Sequence, residues 1–102
     1  MSIEKLAVDD LKSLQEDNPV QIIDVRRPEE FALGHIPFAI NLPLDTINLT
    51  DIQPFLDKNL TLVLNCQRGI RSLKACTLLL QQNTQLTLYN LEGGYEAYCQ
   101  NI

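Results

Sequence analysis

The stretch NCQRGIRS, residues 65–72, places a thiol, Cys66, among two arginines and a glycine. An apolar run, Leu60 to Asn65 (LTLVLN), leads into it, and a helically spaced segment, SLKACTLLLQQ, leaves it at Ser72. A cysteine that only fills space needs neither the glycine nor the charge. Between a strand and a helix the chain must turn within a few residues, and Gly69 can take backbone angles closed to other residues. Such a turn aims successive N–H groups into one concavity. The helix that follows adds the positive end of its dipole. Each of these neighbours favours the thiolate, so the thiol is expected to titrate at roughly pH 5–7, against about 8.5 for a free one. The thiolate is the nucleophilic form, and CQRGIRS therefore reads as a cysteine activated without a histidine. On its own, a strand-end cysteine is more often an inert apolar residue. The glycine, the arginines and the helix start tip the reading toward chemistry.

The remaining reactive residues carry weaker signals. Cys76 has inward helical spacing and reads as core filler. Cys99 reads as incidental, with a resolving or redox role as its alternative. His35, between Gly34 and Ile36, reads as a side chain that orients its loop. Asp24 closes an apolar run, either as a satisfied strand-end carboxylate or as a group that orients an arginine in the site. Three cysteines without CxxC spacing suggest neither a disulfide framework nor a zinc site, and a single histidine weakens a metal centre further.

Charge points the same way. The net charge of −5 argues against general nucleic-acid binding. Between Lys58 and Leu91, however, there is no Asp or Glu, and Lys58, Arg68, Arg71 and Lys74 give +4, leaving −9 elsewhere. The locally basic region surrounds Cys66, which suggests an anionic ligand there; a solvated basic face is the ordinary alternative.

These residues need elements to hold them. A chain of 102 residues, 45% hydrophobic, suits one globular domain spanning 1–102. Val8 to Glu16 has helical spacing, with Asp9 or Asp10 as a cap and Leu11 and Leu14 facing inward. Val20 to Val25 (VQIIDV) reads as a strand. Pro28 suits the first turn of a short helix, PEEFAL, that stops at Gly34. Phe38 to Leu42 reads as a strand, and Asp45 to Lys58 as irregular helix interrupted by Pro54. Leu60 to Asn65 is the clearest strand. Ser72 to Gln82 is the clearest helix, with Leu73, Cys76, Leu79 and Leu80 inward and Lys74, Thr77 and Gln81 outward. Leu86 to Leu91 is a last strand, Gly93-Gly94 a turn, and Tyr95 to Gln100 a last helical turn or two. Short apolar strands separated by helices imply a parallel sheet covered on both faces. Ligands of such folds sit beyond the carboxyl ends of the strands, which brings Asp24, Arg26 and Cys66 to one edge. No stretch approaches the roughly eighteen apolar residues of a membrane span. The start, MSIEKLAVDD, lacks the basic and apolar blocks of a secretory signal, so a cytoplasmic location is the default expectation.

Assembled in this order, the residues resemble a single-domain member of the rhodanese family. IIDVRRPEEFALGHIPFAINLPL (Ile22–Leu44) resembles the family's first block: a strand, DVR, a short helix, then GHIPxAxN. LVLNCQRGIRS resembles its active-site loop, CxxGxR followed by Ser, and LEGGYEAY (Leu91–Tyr98) resembles its terminal LxGGxxAW block. Phe38 stands where glycine is usual, and Tyr98 where tryptophan is common; both departures bear on packing. The resemblance implies a doubly wound α/β domain with a central five-stranded parallel sheet and helices on both faces. It also implies transfer of sulfane sulfur through a persulfide on Cys66, from a small anionic donor such as thiosulfate to cyanide, a thiol or a protein acceptor. Gln67, Arg68, Gly69, Ile70, Arg71 and Ser72 would then form the cradle for the terminal sulfur. Asp24 and Arg26 would brace it from the neighbouring strand, and no metal or organic cofactor is needed.

Two other functions compete. A cysteine phosphatase or arsenate reductase needs five residues between Cys and Arg to wrap a tetrahedral oxyanion, whereas Arg71 follows Cys66 after four. A non-catalytic binding or regulatory module of the same fold is the other alternative; such modules usually lack the cysteine.

Overall fold

The computed structural model describes residues 2–101. Its strands are β1 (Ser2–Leu6), β2 (Val20–Asp24), β3 (Ile40–Asn41), β4 (Thr61–Asn65) and β5 (Thr87–Leu91). Its helices are α1 (Val8–Asp17), α2 (Pro28–Leu33), α3 (Leu49–Asp57), α4 (Ile70–Gln82) and α5 (Gly94–Gln100). The strands form one parallel sheet in the order β1-β5-β4-β2-β3.

Side-chain alternation explains why both faces must be covered. Along β4, Leu62 and Leu64 point into a core with Ile52 of α3 and Ala75, Cys76 and Leu79 of α4. Val63 points into the opposite core with Leu11 of α1, joined there by Phe31 of α2 and Tyr95 and Tyr98 of α5. Full burial of such a Leu or Ile is worth about 1.5–3 kcal/mol, so helices on either face are required to satisfy the central strand. The fold is the doubly wound α/β arrangement expected from the sequence, and no helix among the described residues is long and apolar enough to cross a membrane.

Several local expectations are corrected. β1 has no counterpart in the pattern reading, because Ser2–Leu6 is an edge strand in which two charged residues are exposed and Leu6 alone is buried. Helix α1 starts earlier than a cap at Asp9 or Asp10 would allow: Ala7 is its N-cap, and both aspartates lie in the first turn, where they suit the helix dipole. Pro54 does not interrupt α3. A reciprocal cap holds the helix start, with Asp51 N–H donating to Asn48 Oδ1 at 3.2 Å and Asn48 N–H to Asp51 Oδ2 at 3.0 Å, and Ile52 anchors it in the core. The Phe38–Leu42 strand shrinks to Ile40–Asn41, because Phe38 sits in a turn at φ 69°, fully in solvent. That positive φ is where glycine is favoured. On α4, which begins at Ile70 rather than Ser72, Leu73 is not inward but about half exposed; the buried stripe is Ser72, Ala75, Cys76 and Leu79.

Candidate active site

Because the strands are parallel, β2 and β4 end together. Asp24 and Asn65 are register partners, and Val25 N–H donates to the Asn65 carbonyl at 2.9 Å. Cys66 therefore leaves the sheet beside Arg26. Cys66 is almost fully buried, 1% exposed, beneath a depression lined by Gln67, Arg68, Ile70 and Arg71.

The turn after Cys66 depends on Gly69, which adopts φ 99° as the N-cap of α4 and offers no capping side chain. The cysteine sulfur takes that role. Gly69 N–H donates to Sγ at 3.0 Å, and the Ser72 hydroxyl lies 3.4 Å away. Burial is the largest influence on the thiol and pushes its pKa up. The Ser72 hydroxyl and the amides of Ser72, Arg68 and Gly69 together outweigh it, so the net shift is downward. Hydrogen bonds to the charged form, at a helix start, produce this thiolate preference.

The loop is held from three sides. Just past the end of β2, Arg26 closes a fork on Asp24, with Nη2 2.8 Å from Oδ2 and Nε 3.0 Å from Oδ1, both residues being buried. The rest of its guanidinium reaches Gln67 Oε1 at 3.2 Å and the Gly34 carbonyl at 2.7 Å, and it lies 4.6 Å over the Tyr95 ring. From α5, the amides of Tyr95 and Glu96 donate to the carbonyls of Cys66 and Gln67 at 2.8 and 3.1 Å. This approach is why Gly94 must be glycine: at its φ of 58°, a Cβ would collide with the Cys66 carbonyl oxygen. From β5, Asn90 donates to the Gly69 carbonyl at 3.1 Å.

All nine residues singled out in the sequence, Asp24, Arg26 and Cys66 to Ser72, meet at this edge, but in different states. Arg71 forms a two-pronged pair with Glu30 of α2, at 2.7 and 2.9 Å. The Arg71 guanidinium, helped by the Arg27 amide, holds the Glu30 carboxyl at about 2 despite partial burial. Arg68 is 70% exposed and only 3.7 Å from Glu96, a contact of small energetic value. Gln67 turns its side chain to Arg26, Ile70 projects into solvent, and Ser72 is buried. The surplus of +4 counted along the chain is thus partly cancelled by acids from distant segments.

Sequence reasoning missed Glu30, Asn65, Asn90 and Tyr95. Glu30 gave no signal of its own among the exposed acids of PEEFAL. The asparagines did: an Asn inside an otherwise apolar strand, as in TLVLN and TLYNL, marks a polar group that the fold buries for a purpose. His35 matches its reading as a loop-orienting side chain, stacked on Phe31 at 3.7 Å and bonded to the Phe31 carbonyl at 2.8 Å. Cys76 is buried in the core and Cys99 is exposed.

The chain is similar to known proteins over nearly its whole length. Residues 7–101 match the family model described as the rhodanese-like domain. The thiosulfate sulfurtransferase GlpE of Shewanella oneidensis is 35% identical over 97 residues, covering 95% of this chain and 93% of that protein. A rhodanese-like domain protein from Staphylococcus aureus superposes with a TM-score of 0.74 at 35% identity, over 93% of this chain and 90% of that one. A human single-domain sulfurtransferase gives a TM-score of 0.74 at 25% identity, over 96% of each chain.

Proposed function

The chain belongs to the rhodanese-like domain family, and from that premise we propose that it is a sulfurtransferase whose sulfur carrier is Cys66 and whose donor is thiosulfate. The observation that carries this reading is the buried Cys66 sulfur facing the amides of Arg68, Gly69 and Ser72, which favour its thiolate. The thiolate attacks the outer sulfur of thiosulfate. A Cys66 Sγ–S bond forms, the sulfur–sulfur bond of thiosulfate breaks, and sulfite leaves with the electron pair. The negative charge then rests on the terminal sulfur, within reach of the amides that open α4. A second nucleophile, cyanide in an assay or a low-molecular-weight or protein thiol, takes that sulfur and returns the electron pair to Sγ. The double displacement balances without an external oxidant or reductant.

The cradle suits one sulfur atom better than a tetrahedral oxyanion, because Arg71 follows Cys66 after four residues and is bound to Glu30. Arg68, exposed at the rim, supplies the attraction for the incoming dianion. The exposed Ile70 beside it gives an acceptor protein an apolar foothold next to the depression.

The test is to incubate the reduced protein with thiosulfate and record its intact mass. A gain of one sulfur atom, removed by cyanide with release of thiocyanate and absent in Cys66→Ser, is expected. No mass gain would leave a non-catalytic module as the better reading. Hydrolysis of an aryl phosphate that disappears in Cys66→Ser would favour phosphatase chemistry instead.

A further inference from the structure

Ser72 has one hydroxyl hydrogen and two acceptors: Cys66 Sγ at 3.4 Å and Asn90 Oδ1 at 2.5 Å. A single O–H cannot serve both. The orientation of the Asn90 amide is set by its other end, because Nδ2 faces the Gly69 carbonyl at 3.1 Å and a carbonyl only accepts. The oxygen must therefore face Ser72. Both residues are buried, Ser72 at 0% and Asn90 at 7% exposure, and among the described residues Ser72 makes the one side-chain hydrogen bond to Sγ. Asn90 stands on β5 with its side chain on the α4 face of the sheet.

We propose that Asn90 is a positioning residue that competes with Cys66 for the Ser72 proton. While Cys66 carries its own proton, the hydroxyl donates to Asn90 Oδ1. When Cys66 is a thiolate, the hydroxyl turns to Sγ, since a charged acceptor makes the stronger bond. Resting on the sulfurtransferase reading, the same exchange runs through the catalytic cycle. Formation of the Sγ–S bond moves the charge to the terminal sulfur, Sγ becomes a weak neutral acceptor, and the hydroxyl returns to Asn90. Departure of that sulfur restores the charge on Sγ and draws the hydroxyl hydrogen back to it. Asn90 thus keeps the thiolate from being held too firmly to attack.

The other charged groups around Cys66 are closed into pairs or lie at the rim. Asp24 at the end of β2 and Arg26 just past it bind each other, Glu30 from α2 binds Arg71 of α4, and Arg68 of the loop faces Glu96 of α5. Their influence is shared by every variant below and cancels in the comparison.

The experiment measures the alkylation rate of Cys66 against pH in wild type, Ser72→Ala, Asn90→Ala and the double variant. Ser72→Ala should lower the thiolate fraction below the titration midpoint, and Asn90→Ala should raise it, each by roughly five-fold, the size of a net hydrogen bond. The double variant should match Ser72→Ala. An Asn90→Ala effect of the same sign as Ser72→Ala, or one that persists in the Ser72→Ala background, would overturn the proposal, because it would act through the Gly69 carbonyl alone. Should Asn90→Ala fold poorly, the side-chain amide resonances of Asn90 in 15N-labelled wild type give the second readout. They should shift with the Cys66 midpoint and stay fixed in Ser72→Ala; no shift in wild type refutes the exchange. Because the readout is the acidity of the free enzyme, it succeeds or fails independently of sulfur loading from thiosulfate.

Discussion

Cys66 and Cys76 are ten residues apart and belong to the same hydrophobic core, both essentially out of solvent. For each, burial is the strongest influence and pushes the thiol pKa upward. Cys76 has only its own backbone to offset this and is pushed up to about 12. Cys66 has the Ser72 hydroxyl and three amides, and its shift is downward. The difference is position relative to one helix. Cys66 lies just before α4, where the first amides have no intrahelical partner. Cys76 lies inside α4, where the helix's own carbonyls take the amides. Burial alone makes an inert thiol; burial beside unspent donors makes a nucleophile.

The largest test of this contrast is selective alkylation. At pH 7, a thiol titrating near 12 has a thiolate fraction of roughly 10⁻⁵, so Cys76 should remain unmodified while the folded protein is intact. Cys66 should react with iodoacetamide in a single pH-dependent phase whose midpoint lies below that of a free thiol. Cys99, exposed on α5, is followed in the same peptide map. Peptide mapping showing Cys76 labelled at a rate similar to Cys66 would remove the distinction.

The same contrast explains what could be read from the sequence. The Cys66 loop was legible because its parts are contiguous: strand, cysteine, glycine, helix start. The central strands were legible because β2, β4 and β5 are buried on both faces and read as apolar runs. β1 escaped because an edge strand buries little, and SIEKL shows two charges before its one buried leucine. The groups that set the electrostatics of the site escaped for another reason. Glu30 lies forty-one residues from Arg71, and Asn90 eighteen from Ser72, so no local window contains both partners. Counting charge between Lys58 and Leu91 therefore overstated the free positive charge, since Arg71 is already paired.

A smaller effect separates donor bonds from charge as the source of Cys66 reactivity. Arg71→Ala leaves the Glu30 carboxylate without its guanidinium partner at the edge of the site. The expected loss is about 10- to 100-fold in kcat/KM with thiosulfate, the range for a charge-assisted hydrogen bond in a partly buried site. Glu30→Gln added to Arg71→Ala should recover part of it by removing the uncompensated charge. Arg68→Ala should lose only a few-fold, and the deficit should shrink with salt, since a rim charge is screened over about 10 Å at 0.1 M. If Arg68→Ala were the more damaging variant at high salt, the rim charge of Arg68 rather than the Arg71–Glu30 pair would govern the donor.

The smallest effect concerns stability, where the two thiols should pull in opposite directions. The unfolded chain releases a cysteine proton near the ordinary value of 9.0, whereas folded Cys76 holds its proton to about 12. Between those values the unfolded state binds fewer protons than the folded one, so stability falls as pH rises. The slope from this one group is at most about 1.4 kcal/mol per pH unit. Below 9.0 it contributes nothing. Cys66 has the reverse sign: from its lowered folded midpoint up to 9.0, the unfolded state holds the extra proton and stability rises with pH. Cys76→Ala should therefore be less stable than wild type at about pH 8, by on the order of 1 kcal/mol for the lost packing. The gap should close or invert by about pH 11, because the variant lacks the alkaline penalty. Urea unfolding in reductant across this range measures it directly, with the lysine and tyrosine titrations common to both proteins. Parallel curves from about pH 8 to 11 would mean that Cys76 ionises in the folded protein as readily as in the unfolded chain, and that burial does not separate it from Cys66.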